Sequence, residues 1–273
     1  MEWSRAKKYT VIALIILNLF LLCLNVYKGL DTRLGYERIN DLTALINLKG
    51  ITITGSLPKN YKPMAEIAVS DYNFDFVKLQ NIFMSEETDV KRTDEYNSVV
   101  FMSENSRLSV RGSGVNFTTV KKNGFSSESD IRAYTDEVIK KINSDFGNYK
   151  FHSIEKSNDS YTIRYYERCK GKNVFSNFAD FIIKGENVAF ALNYVKIGNE
   201  INESKNIYAA DEAIYSVIDE IKEDMEKGTI TNVELGYYVI SSSAGGEKYA
   251  TPFYIVKAGG KDYYVNAYTG ECF

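Results

Sequence analysis

Few residues in this chain are equipped for covalent or metal chemistry. His152 is the single histidine, and Cys23, Cys169 and Cys272 are the three cysteines in 273 residues. One imidazole cannot build a multi-histidine metal site, and three thiols cannot close a four-cysteine zinc site. A Ser/His/Asp hydrolase would have to use His152, yet it lies between Phe151 and Ser153 in an alternating stretch. No Gly-x-Ser-x-Gly turn leads into a helix near it, so His152 reads as a strand residue. Paired carboxylates need no motif, and the 36 acids leave glycoside hydrolysis formally open. Glu220, Glu223, Asp224 and Glu226 cluster on one helical stretch without the alternating loop positions of a calcium site. Gly112-Ser113-Gly114 and Gly245-Gly246 lack the Lys-Ser/Thr continuation of a phosphate loop and read as turns. The expectation is a non-enzyme with no catalytic residue, cofactor or metal. Cys169 and Cys272 are either two separate thiols or, outside a cell, a disulfide pair.

The pair with mechanistic content is Asn18 and Asn25. Both sit in the uncharged run Tyr9–Tyr27, YTVIALIILNLFLLCLNVY, where Thr10 is the other strongly polar residue. Seven residues at about 100° each bring the two amides to within roughly 20° of one helix face. Val11, Leu14 or Ile15, Leu21 and Leu22 complete the stripe. An amide in hydrocarbon has no water to bond, so it seeks a partner on another helix, worth about 0.6–2 kcal/mol. Val11, Leu14, Asn18, Leu21 and Asn25 are therefore the expected contact face for a partner span. Asn18 lies near mid-depth, whereas Asn25, near the outer interface, can also face headgroups.

The run that carries these amides is about 28 Å long as a helix, the thickness of a bilayer core. A secretory signal is the competing reading, because Arg5, Lys7 and Lys8 precede the run. The run is long for a signal, and no small-x-small site follows it, so retention as a span is expected. Arg5, Lys7 and Lys8 are matched by Lys28, Arg33 and Arg38 beyond the span, which ties the positive-inside comparison. Length breaks the tie: eight residues precede Tyr9 and 246 follow Tyr27, and long domains translocate largely regardless of charge. A single-pass membrane protein with a cytoplasmic N-terminus is expected. The outer part, residues 29–273, keeps 29 bases against 35 acids, a net charge of −6. Neither that balance nor the whole chain's −3 provides the basic excess that nucleic acid requires.

Beyond the span, 21 Tyr and 15 Phe point to strands carrying large amphipathic side chains. Leu34–Leu48 has helical spacing and ends at Gly50. Short strands are expected at Ile51–Leu57 and Met64–Ser70, and a short helix at Phe74–Met84. Further strands fall at Ser98–Ser103, Arg107–Arg111 and Val115–Lys121. A helix then opens at Ser127, with Ile131, Tyr134, Val138, Ile139 and Ile142 on one side. Strands follow at Tyr149–Lys156, Tyr161–Cys169, Phe175–Lys184 and Val188–Ile197. The pattern repeats: a helix with Ala210, Ala213, Ile214, Val217, Ile218, Ile221 and Met225 on its apolar face precedes strands at Asn232–Ser241, Pro252–Ala258 and Lys261–Ala267. Gly259-Gly260 is a hairpin signal between the last two. The fold class is α+β, antiparallel sheets with packed helices. The expected divisions are residues 1–8 cytoplasmic, 9–27 transmembrane, 28–50 juxtamembrane helix or linker, 51–125 β-rich, 126–200 an α+β unit, and 206–273 a second α+β unit.

The opening Met1-Glu2-Trp3-Ser4-Arg5-Ala6-Lys7, Ile16-Leu17-Asn18-Leu19-Phe20-Leu21 in the span, and Gly50-Ile51-Thr52-Ile53 leading to Leu57-Pro58 resemble the YycI family. So do Tyr208-Ala209-Ala210-Asp211-Glu212-Ala213-Ile214, Leu235-Gly236-Tyr237-Tyr238, Pro252-Phe253-Tyr254 and Tyr264-Val265-Asn266-Ala267-Tyr268-Thr269-Gly270-Glu271. The last stretch is also similar to PepSY-type modules, which implies that the last two α+β units are PepSY-like, and about Phe74–Ser126 matches no motif. The resemblance implies a membrane-anchored, non-enzymatic regulator of the WalKR (YycFG) two-component system of Gram-positive bacteria. Its implied partners are the sensor histidine kinase (WalK/YycG-like) and a YycH-like protein, met through membrane spans, with cell-wall metabolism as the output. The other reading is an anchored extracytoplasmic binding or inhibitor module, PepSY-like, recognising a cell-wall component, a peptide or a protease.

Overall fold

A computed structural model describes residues 2–225, 228–241 and 248–273, with side chains described outside 2–6, 25–31 and 241. In chain order the N-terminal elements are α1 (Glu2–Asp31), α2 (Tyr36–Leu48), β1 (Thr52–Ile53), β2 (Ile67–Ser70), α3 (Phe76–Phe83), β3 (Lys91–Glu95), β4 (Ser98–Met102), β5 (Ser106–Arg111) and β6 (Gly114–Val120). They are followed by α4 (Glu128–Asp145), β7 (Tyr149–Ser157), β8 (Ser160–Cys169), β9 (Lys172–Lys184), β10 (Asn187–Asn193), β11 (Lys196–Glu200), α5 (Ala210–Asp224), β12 (Thr229–Ser241), β13 (Lys248–Ala258) and β14 (Lys261–Asn266). The chain forms an α+β fold of two compact units. One comprises Met1–Met64, Lys205–Glu234 and Tyr254–Phe273, the other Ala65–Ser204 and Leu235–Phe253.

In the first unit, α5 turns Ala210, Ala213, Ile214, Val217, Ile218 and Ile221 inward, the i, i+3, i+4, i+7 face read from the sequence. Ala209 has no side-chain oxygen to cap the helix, so closure comes from one direction: the Glu212 carboxylate accepts the Ala209 N–H at 2.7 Å. Helix α2 buries Leu42 and Ile46 completely and packs on α5 and β1. Arg38 on α2 grips Asp211 in a bidentate pair, Nε to Oδ2 at 2.8 Å and Nη2 to Oδ1 at 2.9 Å, with the Asp211 side chain only 6% exposed. Asp211 also occupies the first turn of α5, where the helix dipole favours negative charge. The β13–β14 hairpin turns on Gly259 and Gly260, both at positive φ (57° and 83°). A Cβ on Gly259 would also lie 2.0 Å from Met225 Sδ, so the Met225 side chain would have to move to admit one. The expected strand Ile51–Leu57 contracts to Thr52–Ile53, which runs parallel to Thr229–Ile230. At Gly55 the backbone comes so close that a Cβ would meet the Thr231 carbonyl oxygen at 2.0 Å.

The second unit is built on β9, whose 13 residues pair with β8 along most of their length. On its other side the sheet forks. Residues Phe178–Lys184 pair antiparallel with β10, from which β6, β5, β4 and β3 continue in order. Val174 instead pairs parallel with Tyr237 of β12, leading to β13, β2 and β11. The expected single strand Val188–Ile197 is therefore two strands, because Asn193 ends on one branch and Lys196 begins on the other. At the fork, side chains stand in for missing ladder partners. Asn177, fully buried, donates to the Val195 carbonyl at 2.8 Å and to the Glu167 carboxylate, and accepts the Val195 N–H at 3.0 Å. Ser176 Oγ accepts the Val239 N–H at 2.8 Å, and Asn193 donates to the Ser176 carbonyl at 2.7 Å.

One face of this sheet is covered by α3 and α4. Ser127 caps α4 by accepting the Asp130 N–H at 3.1 Å, and Asp75 caps α3 by accepting the N–H groups of Val77 and Lys78. Their apolar sides, including Leu79, Ile82, Ile131, Val138, Ile139 and Ile142, join Leu108, Phe117, Phe181 and Phe190 of the strands in one core. β3, Lys-Arg-Thr-Asp-Glu, is exposed at all five positions. It sits at the sheet edge, where charged residues discourage further pairing, so it has no hydrophobic alternation for the sequence to reveal.

Candidate span-contact site

Helix α1 is 30 residues long, about 45 Å at 1.5 Å per residue. Its apolar stretch Lys7–Leu24 is long and apolar enough to cross a membrane, and none of that stretch is buried. Val11, Leu14 and Leu21 are 55%, 52% and 47% exposed. A helix that is apolar all round is stable only when lipid or other helices surround it. This is the physical ground for treating α1 as a candidate membrane span.

Val11, Leu14, Asn18 and Leu21 fall on one side of α1. Relative to Asn18, they lie at about 20°, 40° and 60° around the axis for Val11, Leu14 and Leu21. The Asn18 side chain is exposed and makes no hydrogen bond among the described residues. Both of its amide donors and its carbonyl oxygen are thus available to a neighbouring helix. Asn25 belongs to the same helix, but its side chain lies outside the described residues, as does that of Arg5. Lys7 and Lys8 are exposed near the start of α1, and Cys23 is exposed on it as a free thiol.

The residues with chemical potential elsewhere are occupied structurally. His152 lies at the register shift in β7, its ring edge-on to Tyr166 at 4.9 Å between centroids. Cys169 and Cys272 are free. Cys272 Sγ donates to the Glu220 carboxylate at 3.1 Å, and burial followed by that carboxylate pushes its pKa up to about 12, so it is a poor nucleophile. Asp224 accepts from Lys261 at 2.7 Å and from the Tyr263 hydroxyl at 2.7 Å, and these bonds hold its carboxyl below the usual range. Glu226 lies outside the described residues. Among the described residues, no group of three His, Cys, Asp or Glu side chains is placed to hold a metal ion.

Sequence reading missed a cleft of about 610 Å³ in the second unit, at the C-terminal end of α3 and against α4. Four of its charged residues, Glu86, Glu87, Lys121 and Lys122, come from the α3–β3 and β6–α4 connections, which in sequence look like ordinary polar loops. No spacing rule links them, because only the fold brings residues 86 and 121 together.

The family model described as YycI protein matches residues 36–268. Comparison with curated proteins gives no match. Among solved structures, the chain is similar to an uncharacterized protein from Eubacterium rectale, with a TM-score of 0.55 at 10% identity, over 82% of this chain and 90% of that one. It also aligns with the Bacillus megaterium YpeB C-terminal domain at a TM-score of 0.40 and 10% identity, over 75% of this chain and 98% of that one. The first of these likenesses concerns the fold alone.

Proposed function

The chain belongs to the YycI family, a family of regulatory proteins associated with the WalK two-component system, and on that premise we propose that it regulates a sensor histidine kinase through its membrane span. The span is retained, the N-terminus is cytoplasmic behind Arg5, Lys7 and Lys8, and residues 29–273 lie outside. The protein acts on the kinase and on a YycH-like partner by packing helices in the bilayer, without catalysis, and the output is control of cell-wall metabolism. The observation that carries this reading is Asn18, an unpartnered amide on an exposed apolar helix.

In hydrocarbon the Asn18 amide gains a bond only when another helix offers one, so it biases which helix packs against Val11, Leu14 and Leu21. The test is Asn18→Leu, alone and with Asn25→Leu. The change makes the helix more apolar, so insertion is preserved. Losing about 1–2 kcal/mol weakens pairing by roughly 5–30-fold, read as loss of co-purification with the kinase and YycH-like spans and as altered kinase output. Undiminished co-purification would move the regulatory contact to the folded units. Orientation is tested separately by adding protease to intact protoplasts. Cleavage of the outer units is expected, and protection until lysis would overturn the topology.

A further inference from the structure

The cleft of the second unit is lined by charges of both signs that do not neutralise each other. Glu86 and Glu87, after α3, line it together with Lys121 and Lys122, after β6. Among the described residues no cation pairs with either glutamate, and no carboxylate pairs with either lysine. The contrast is Glu137 and Lys141 on α4, which line the same cleft and bind each other at 3.2 Å.

Two of the unpaired charges are held in place. Glu87 accepts from the Ser103 hydroxyl at 2.7 Å and from the Ser106 hydroxyl at 2.5 Å, which fixes both carboxylate oxygens. Lys121 Nζ lies 4.2 Å from the Phe125 ring centroid and 4.7 Å from that of Tyr134. Aromatic faces position an ammonium while leaving its N–H donors free for an anion. Tyr134 lines the cleft, and its hydroxyl has no hydrogen-bond partner among the described residues. Phe83 offers an apolar surface beside it, fixed by Phe117 and Phe190 at 5.0 Å each. The volume lies within the roughly 300–1,000 Å³ typical of small-ligand sites.

Charges of both signs, not paired with each other, beside aromatic rings suit a ligand that is itself dipolar. We propose that this cleft binds a short peptide with free ends, its carboxylate against Lys121 and Lys122, its ammonium against Glu86 and Glu87, and an apolar side chain on Phe83 and Tyr134. The site is independent of the span contact, and either can fail without the other.

The probe is the tetrapeptide Ala-Leu-Ala-Ala, titrated calorimetrically into the full chain in lipid nanodiscs in four forms: free, N-acetylated, C-amidated, and blocked at both ends. The free form should bind best, and blocking either end should weaken binding by about tenfold. Lys121→Gln with Lys122→Gln should erase the penalty for amidation and keep that for acetylation. Glu86→Gln with Glu87→Gln should do the reverse. No binding at millimolar peptide, equal binding of the four forms, or variants that leave both penalties in place would each overturn the proposal. If a variant loses its melting transition, the four-peptide comparison on the unmodified chain decides alone.

Discussion

Asn18 and Asn177 have the same side chain in opposite circumstances. Asn177 is wholly buried at the fork of the second unit's sheet, where it bonds Val195 in both directions as well as Glu167. Asn18 stands exposed on α1 without a hydrogen bond among the described residues. An amide satisfied within its own chain stabilises one fold, whereas an amide left open in an apolar setting favours association. Asn177 holds this protein together, and Asn18 is proposed to select its neighbours.

The largest effect is expected from Asn177→Leu, which strands a buried peptide N–H and a buried carbonyl and takes one donor from the buried Glu167 carboxylate. The cost is about 3–4 kcal/mol, read as a fall of roughly 10 °C in melting temperature for units of this size. Co-purification with the kinase should persist at temperatures where the variant remains folded. A fall under about 2 °C would show that the fork does not depend on this amide. Asn18→Leu should give the mirror image: partner affinity drops roughly 5–30-fold, while the melting temperature of the outer units stays constant. A joint loss of stability and affinity in either variant would break the distinction.

Glu167 sharpens the fork's side of the comparison. Burial holds its carboxyl above the ordinary glutamate range, partly opposed by the bonds from Asn177 and the Asn148 backbone. The folded state therefore binds this proton more tightly than the unfolded state, so the group's contribution to stability falls as pH rises above the usual glutamate pKa. Glu167→Gln keeps an acceptor for Asn177 and removes the charge. It should raise the melting temperature at pH 7 and flatten this part of the pH profile, and a lowered melting temperature with an unchanged profile would refute the account. The smallest effect is expected from reductant and chelator. Cys169 and Cys272 are free, so the melting temperature should stay within about 2 °C, and a drop near 10 °C would reveal a cross-link contributing several kcal/mol.

Much of the fold was legible in the sequence. The apolar faces of α4 and α5, the Ser127 cap and the Gly259-Gly260 turn follow from local periodicity and backbone preference, and all appear as expected. The misses have a common physical origin. Val188–Ile197 reads as one strand because apolar residues continue through Tyr194 and Val195, although the alternation changes phase between these two buried neighbours, where the chain passes from one sheet branch to the other. β3 carries no alternation because an edge strand exposed on both faces has no core side to mark.

The sequence by itself determined what each segment can do against its immediate surroundings. An uncharged run of bilayer length, two amides one heptad apart and two amphipathic helices each before a set of strands are local patterns, fixed by 1.5 Å and 100° per residue. The tertiary structure alone decided which distant groups meet. It gave Asn177 its partners and Arg38 its Asp211, and it brought Glu86 and Glu87 into one cleft with Lys121 and Lys122. Hydrogen bonds and ion pairs act over a few ångströms of space, whatever number of residues lies between them along the chain. No periodicity in the sequence records them.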